Sequence, residues 1–208
     1  MTHMFADRTD AGEQLADRVL EQGVTADIVL AIPRGGLPLG RAVADALGAP
    51  LDVVVAAKIG APGNPEYAVG AVAEDGTAWL NDDAIRQLDV TDDYLERERE
   101  RERAVAENKA ADYRDGARPS LAGKRVVVVD DGVATGATMR ACLELVREAG
   151  PAHLVVAVPV GPPDTLAALE SQADEVVAVE RPQYFQAVGA HYRRFDQVTD
   201  EQAKSYLA

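Results

Sequence analysis

Short apolar runs separated by stretches of helical period restrict this chain more than any other feature. DIVLAI (27–32), LDVVVAA from Leu51, RVVVVD from Arg125, HLVVAVPV from His153 and DEVVAV from Asp174 have the length and β-branched content of strands buried on both faces. Helical patterns lie between most of them. This alternation implies βαβ crossovers and predicts an α/β fold, an open, mostly parallel sheet with helices on both faces. Ligands of such sheets bind beyond the carboxyl ends of the strands, near a reversal in strand order.

Local signals place the helices. Asp10 with Glu13 three residues on is a candidate start for the first helix, Leu15 and Val19 share its apolar face, and Gly23 is placed to end it. PRGGLPLG turns from the first strand into a helix ending near Leu47. The run 91–114 reads as one long helix. Its ERERERER segment (96–103) sets opposite charges at i,i+3 but like charges at i,i+4, so the pairings nearly cancel and the run reads as a solvated face. The stretch KIGAPGNPEYAVG carries too much Gly and Pro to be regular, and AVAEDGTAWL reads as a hairpin with a primed turn at Asp75 and Gly76. Together they interrupt the alternation.

With 208 residues the chain can bury one sizeable core, and a single domain over 1–208 is expected. MTHMFADRTD lacks an apolar leader and no apolar run approaches a membrane span, which predicts a cytoplasmic protein without a membrane partner. Cys142 is the only cysteine, so there is no internal disulfide, and its apolar surroundings read as core. The formal charge of −14 argues against nucleic acid as a partner. Lysine occurs only at 58, 109, 124 and 204, and an acidic chain poor in lysine suggests a salt-rich, halophilic cytoplasm.

The segment VVVVDDGVATGATM (126–139) carries the chemistry. A metal-dependent phosphoacceptor pocket at Asp130 and Asp131 would need a lysine after a later strand, and the later strands end in Pro159 and Glu180-Arg181 instead. A nucleophilic Asp131 of the haloacid-dehalogenase type would need a second Asp two positions on, where Val133 stands. A vicinal diol fits: ionised carboxylates only accept hydrogen bonds, and two side by side can each take one hydroxyl. Gly132, Val133, Ala134, Thr135, Gly136, Ala137 and Thr138 then offer backbone N–H groups and hydroxyls at a helix start, which favours a dianion. A phosphorylated ribose satisfies both halves of the loop. The segment lacks the lysine and spacing of a nucleotide-hydrolysing P-loop, so it holds a phosphate without needing to transfer it.

An apolar strand, two acids and a T-G-x-T turn resemble the phosphoribosyl-pyrophosphate (PRPP) signature of type I phosphoribosyltransferases. KIGAPGNPEYAVGAV, DDGVATGAT and FQAVGAHYRRFDQVTDE together resemble, more narrowly, a branch of predicted phosphoribosyltransferases over nearly the whole chain. The resemblance implies a core at about 9–180, a mobile catalytic loop within about 58–80 and a C-terminal hood at about 181–208. It implies that Arg34, Gly35, Gly36 and Lys58 meet the pyrophosphate, with a strained non-proline cis peptide near Arg34-Gly35. Glu66 and Tyr67 become the loop groups to test as catalytic residues, and Mg²⁺ the cofactor, met by Asp130 and Asp131 through water or PRPP. In the hood, Tyr184 and Phe185 match the position of an aromatic that stacks on a base, although plain packing is the equal alternative. The acidic residue that purine-salvage members carry shortly after the glycine is not evident, and His191 lies in that region, so the resemblance leaves the acceptor base open.

The implied reaction is transfer of the 5-phosphoribosyl group of PRPP to a nitrogenous base or related small acceptor, with release of pyrophosphate, in a homodimer. A second reading is a PRPP- or nucleotide-sensing regulator that binds without turnover. A third is a phosphate-binding module acting through partners, served only by the charged helix around Arg99.

Overall fold

The computed structural model describes residues 5–114 and 116–208. Residues 1–4, part of the opening read above as free of an apolar leader, lie outside the described residues. Helix α1 (Arg8–Glu21) leads through strand β1 (Ile28–Ala31) and helix α2 (Gly36–Leu47) to strand β2 (Leu51–Val53). Strands β3 (Ala56–Ala61), β4 (Asn64–Ala73) and β5 (Ala78–Leu80) follow, then helices α3 (Asp82–Gln87) and α4 (Asp92–Tyr113). The chain then alternates through β6 (Arg125–Val129), α5 (Ala137–Glu148), β7 (His153–Val160), α6 (Pro163–Leu169) and β8 (Glu175–Glu180). A 3-10 turn, Val188–His191, and helix α7 (Asp200–Ser205) complete the tail.

The main sheet is five-stranded, in the order β2-β1-β6-β7-β8, and every pair is parallel. The chain leaves β1 toward β2 and re-enters on the other side at β6. The reversal therefore lies between β1 and β6, where helices cover opposite faces and a crevice opens at the strand ends. The loops carrying PRGG and DDGVATGAT leave these two neighbouring strands. Their rigidity comes from burial: Val126, Val127, Val128 and Val129 have no exposed surface, and each contributes roughly 1.5–3 kcal/mol relative to an exposed side chain. One face of the sheet packs on α5, through Met139, Cys142 and Leu143 among others, and the other on α1 and α2, through Leu15, Val19, Leu39 and Val43. Cys142 is buried in that first core, as expected.

Three local expectations change. The cap of α1 is Asp7, whose side chain accepts from the Thr9 and Asp10 N–H groups, while Asp10 reaches back to accept from the Ala6 N–H. The strand read as LDVVVAA ends at Val53, and Ala56 opens a separate antiparallel sheet, β3-β4-β5. The stretch expected to be irregular is regular β structure, because its special residues fall where a hairpin uses them. Pro62 and Gly63 lie between paired Ala61 and Asn64, with Gly63 at φ +73, and Gly60 sits at a shift in register.

The second hairpin is present at Asp75 and Gly76, but its turn is not primed. Gly76 alone is left-handed (φ +92), Gly76 N–H donates to Ala73, and the Ala73 N–H donates to Thr77 at 2.7 Å. That is a three-residue loop with glycine in its last position. The long helix begins at its cap Thr91 as expected, but the charged run is not wholly solvated: Glu98 is buried, with Arg101 2.8 Å away. Among the described residues no helix is long and apolar enough to cross a membrane.

Candidate functional site

The acidic pair follows β6 directly, and the adjoining loop is tied down from several sides. The Val133 N–H donates to the Val160 carbonyl at the end of β7, and the Thr165 hydroxyl from α6 donates to the Ala134 carbonyl at 2.8 Å. Gly136 is the N-cap of α5 at φ +80, so the chain turns sharply and the first N–H groups of the helix have no intrahelical acceptor. The result is a cleft of about 190 Å³ lined by Lys58, Asp130, the loop 132–138, Met139 and Val188. Lys58, exposed on β3, supplies a cation to that lining.

The two glycines of PRGG are required by contact. A Cβ on Gly36 would lie 2.8 Å from the Val129 carbonyl and 3.1 Å from Asp130 Cα, and one on Gly35 would fall on the Asp131 carboxylate. At the reversal point Gly36 therefore packs against the backbone that ends β6, and Gly35 against the Asp131 side chain. The non-proline cis peptide is at Pro33-Arg34, one bond earlier than the resemblance implied. Lys109, from α4, donates to the Pro33 carbonyl at 2.8 Å. Burial lowers the Lys109 ammonium below its ordinary range, assisted by the neighbouring Arg34 charge.

The acids themselves are half-buried. Burial, together with the Asp131 charge, pushes the Asp130 carboxyl well up. Burial raises Asp131 as well, opposed by the Arg8 guanidinium, whose Nε donates to Asp131 Oδ2 at 2.8 Å. Asp130 Oδ1 accepts from the Asp131 N–H at 2.8 Å. Among the described residues no cluster of three His, Cys, Asp or Glu side chains could cage a metal on its own. Two adjacent carboxylates do fit an ion such as Mg²⁺, which keeps several waters and takes much of its shell from substrate phosphates.

Asp131, Gly35 and Gly36 lie beside this cleft without lining it, and the remaining expected residues lie apart from it. Arg34 extends toward α7, with a guanidinium nitrogen 3.5 Å from Asp200 Oδ1, an oxygen that also accepts from the Tyr113 hydroxyl at 2.8 Å. Glu66 and Tyr67 are exposed on the outer end of β4. Phe185 stacks on His191, with ring centroids 5.1 Å apart, and is partly buried against the core, whereas Tyr184 is 94% exposed. Contacts that sequence reasoning missed come from the ends of the chain: Arg8 on Asp131, Tyr192 donating to the Asp131 carbonyl at 2.6 Å, and Val188 against Gly132. The scarcity of basic residues was the only signal pointing toward Arg8 or Lys109, and it named neither.

The model of the phosphoribosyl transferase domain matches residues 5–193. The chain belongs to that family. Relatives of this phosphoribosyl transferase domain occur in two strains of Mycobacterium tuberculosis under the name "Putative phosphoribosyl transferase", 42% identical over 205 residues. The match takes in 98% of this chain but 46% of those proteins, so the chain spans about half the length of the curated relatives it matches. The crystal structure of TT1426 from Thermus thermophilus is 47% identical, with a TM-score of 0.82 over 98% of this chain and 97% of that one. Purine phosphoribosyltransferase from Pyrococcus horikoshii, at 19% identity and a TM-score of 0.51 over 91% of this chain and 89% of that one, shares the fold. The five-stranded parallel sheet flanked by helices is the type I phosphoribosyltransferase architecture.

Proposed function

We propose that this domain transfers the 5-phosphoribosyl group of PRPP to a nitrogenous base or related small acceptor and releases pyrophosphate. The observation that carries the reading is the convergence of Lys58, Asp130 and the loop 132–138 on one cleft of about 190 Å³. A phosphate on the N–H groups opening α5 and a ribose diol on Asp130 and Asp131 use the donors and acceptors each part requires. The name borne by the Mycobacterium tuberculosis relatives supports the same class of reaction.

Bond cleavage at C1 of the donor builds positive charge on the sugar ring and negative charge on the departing pyrophosphate. Fixed, partly desolvated groups stabilise such charge better than water does. Lys58 supplies a cation at the cleft, and Arg34 becomes available when its guanidinium leaves Asp200. Asp130 and Asp131 hold the sugar in place, so that the acceptor attacks an oriented carbon rather than a tumbling one. Bound Mg²⁺, met by Asp130 and Asp131 through water or the donor, would offset charge on the leaving group. The β3-β4 hairpin stands beside the cleft with Glu66 and Tyr67 on its outer end, and movement of that hairpin toward the cleft would exclude water. The tail 181–208 covers the acceptor side, with Tyr184 and Phe185 as candidate base contacts.

The test is a panel of nitrogenous bases incubated with labelled PRPP and Mg²⁺. Pyrophosphate release that depends on one acceptor class supports the transferase. Tight PRPP binding with no release for any acceptor replaces it with a donor-sensing role.

A further inference from the structure

Each acid of the pair has one oxygen already engaged. The Asp131 N–H holds Asp130 Oδ1, and Arg8 Nε holds Asp131 Oδ2, both at 2.8 Å. That leaves Asp130 Oδ2 and Asp131 Oδ1 as the acceptors that two vicinal hydroxyls would need. The pattern is asymmetric in origin: Asp130 is oriented by its own backbone neighbour, whereas Asp131 is oriented by a side chain 123 residues away.

Arg8 is itself held rigidly. Its guanidinium carbon lies 3.9 Å from the centroid of the Phe195 ring, a terminal nitrogen donates to the Asp196 carbonyl, and the side chain is 13% exposed. Phe195 and Asp196 belong to the tail that passes over the site. The same tail reaches Asp131 a second time through the Tyr192 hydroxyl on its backbone carbonyl. A planar guanidinium bound to a carboxylate, a ring face and a carbonyl has little rotational freedom, and it transmits that rigidity to the carboxylate.

We propose that Arg8 is the positioning residue that sets the orientation of Asp131 toward the ribose diol and couples it to the C-terminal tail. The proposal rests on the phosphoribosyl reading of the cleft. Arg8 touches no substrate atom; it acts through Asp131. Without it the carboxylate is free to rotate, and its ligand-facing oxygen loses the fixed geometry that a two-point grip requires.

The test is a double-mutant cycle read by calorimetric titration with ribose 5-phosphate, which needs no turnover. Arg8→Met and Asp131→Asn are each expected to weaken binding about tenfold, the scale of one charge-assisted hydrogen bond. Because the two act as one unit, the double variant should bind no more weakly than Asp131→Asn alone. Arg8→Lys, which keeps a cation but loses the planar fork and the ring contact, should recover only a small part of the affinity lost in Arg8→Met. Losses that multiply to about a hundredfold in the double variant would show a merely structural Arg8 and overturn the proposal. Wild-type affinity in Arg8→Met, or full recovery in Arg8→Lys, would overturn it as well. If Arg8→Met does not fold, Arg8→Gln completes the cycle under the same criteria. Wild-type protein that binds neither ribose 5-phosphate nor PRPP removes the reading of the cleft and this proposal with it. Failure of the cycle on a wild type that does bind removes the proposal alone.

Discussion

A Cβ on Gly35 would occupy the place taken by the Asp131 carboxylate. The two residues come from different loops and meet only because β1 and β6 are neighbours. Gly35→Ala is expected to displace the carboxylate and break its contact with Arg8 without blocking the fold, because the obstructing atoms are the end of a side chain rather than backbone. Calorimetry should show ribose 5-phosphate affinity reduced at least about tenfold, with the melting temperature lowered by the loss of that ion pair. Gly36→Ala meets backbone at 2.8 Å instead and should lose roughly 1–3 kcal/mol of stability in a denaturant titration.

Asp130 and Asp131 are adjacent, half-buried carboxylates, an arrangement that favours a ligand and opposes the empty fold. Asp130→Asn keeps the shape and the acceptor for the Asp131 N–H while removing the like-charge repulsion. Its melting temperature should therefore rise, and its affinity for ribose 5-phosphate should fall about 10- to 100-fold. A variant that is both less stable and unchanged in binding contradicts the role given to the pair.

Asp27 clamps the start of β1 to the start of β6 by accepting from Arg125 through both side chain and backbone. The Arg125 guanidinium lowers the carboxyl from its ordinary 3.8 to about 2. A lowered carboxylate stabilises the fold above its unfolded value, and the contribution is lost as pH falls through the folded value. Asp27→Asn should thus flatten the pH dependence of the melting temperature between 3.8 and about 2, with no such change near neutrality.

Arg34 and Asp200 are 3.5 Å apart, with the Asp200 side chain 70% exposed. A pair this open is weak, about 0–1 kcal/mol, so it can yield to a stronger anion. Asp200→Asn should leave stability within about 0.5 kcal/mol and strengthen inorganic pyrophosphate binding about two- to fivefold, measured as competition against labelled PRPP. Weaker pyrophosphate binding in this variant would mean that Asp200 serves Arg34 rather than competing for it.

Much of the fold was legible because it is written in local patterns. The valines of β6 and the apolar run of β7 announce a buried parallel sheet, and the small residues after Asp131 announce a turn into a helix. The hairpin of β3 and β4 was misread because glycine and proline usually mark irregular chain. Only pairing in three dimensions shows that Pro62-Gly63 forms the turn and Gly60 the register shift. Asp10 resembled a cap because composition cannot distinguish it from Asp7, three residues earlier. In the structure the chain leaves its contact with Tyr192 at Phe5, and Asp7, two residues on, takes the capping bonds.

By itself the sequence determined the strand-helix alternation of the main sheet and the acidic, small and hydroxylated residue types of the loop 130–138, since both follow from periodicity and residue type over short spans. Tertiary structure decided which distant groups that loop meets: Gly35 against Asp131, Lys58 in the cleft, Lys109 on Pro33, Arg34 on Asp200 and Arg8 on Asp131. Such contacts carry no local signature, because a side chain's partner across the sheet is set by strand order and packing rather than by its neighbours in the chain.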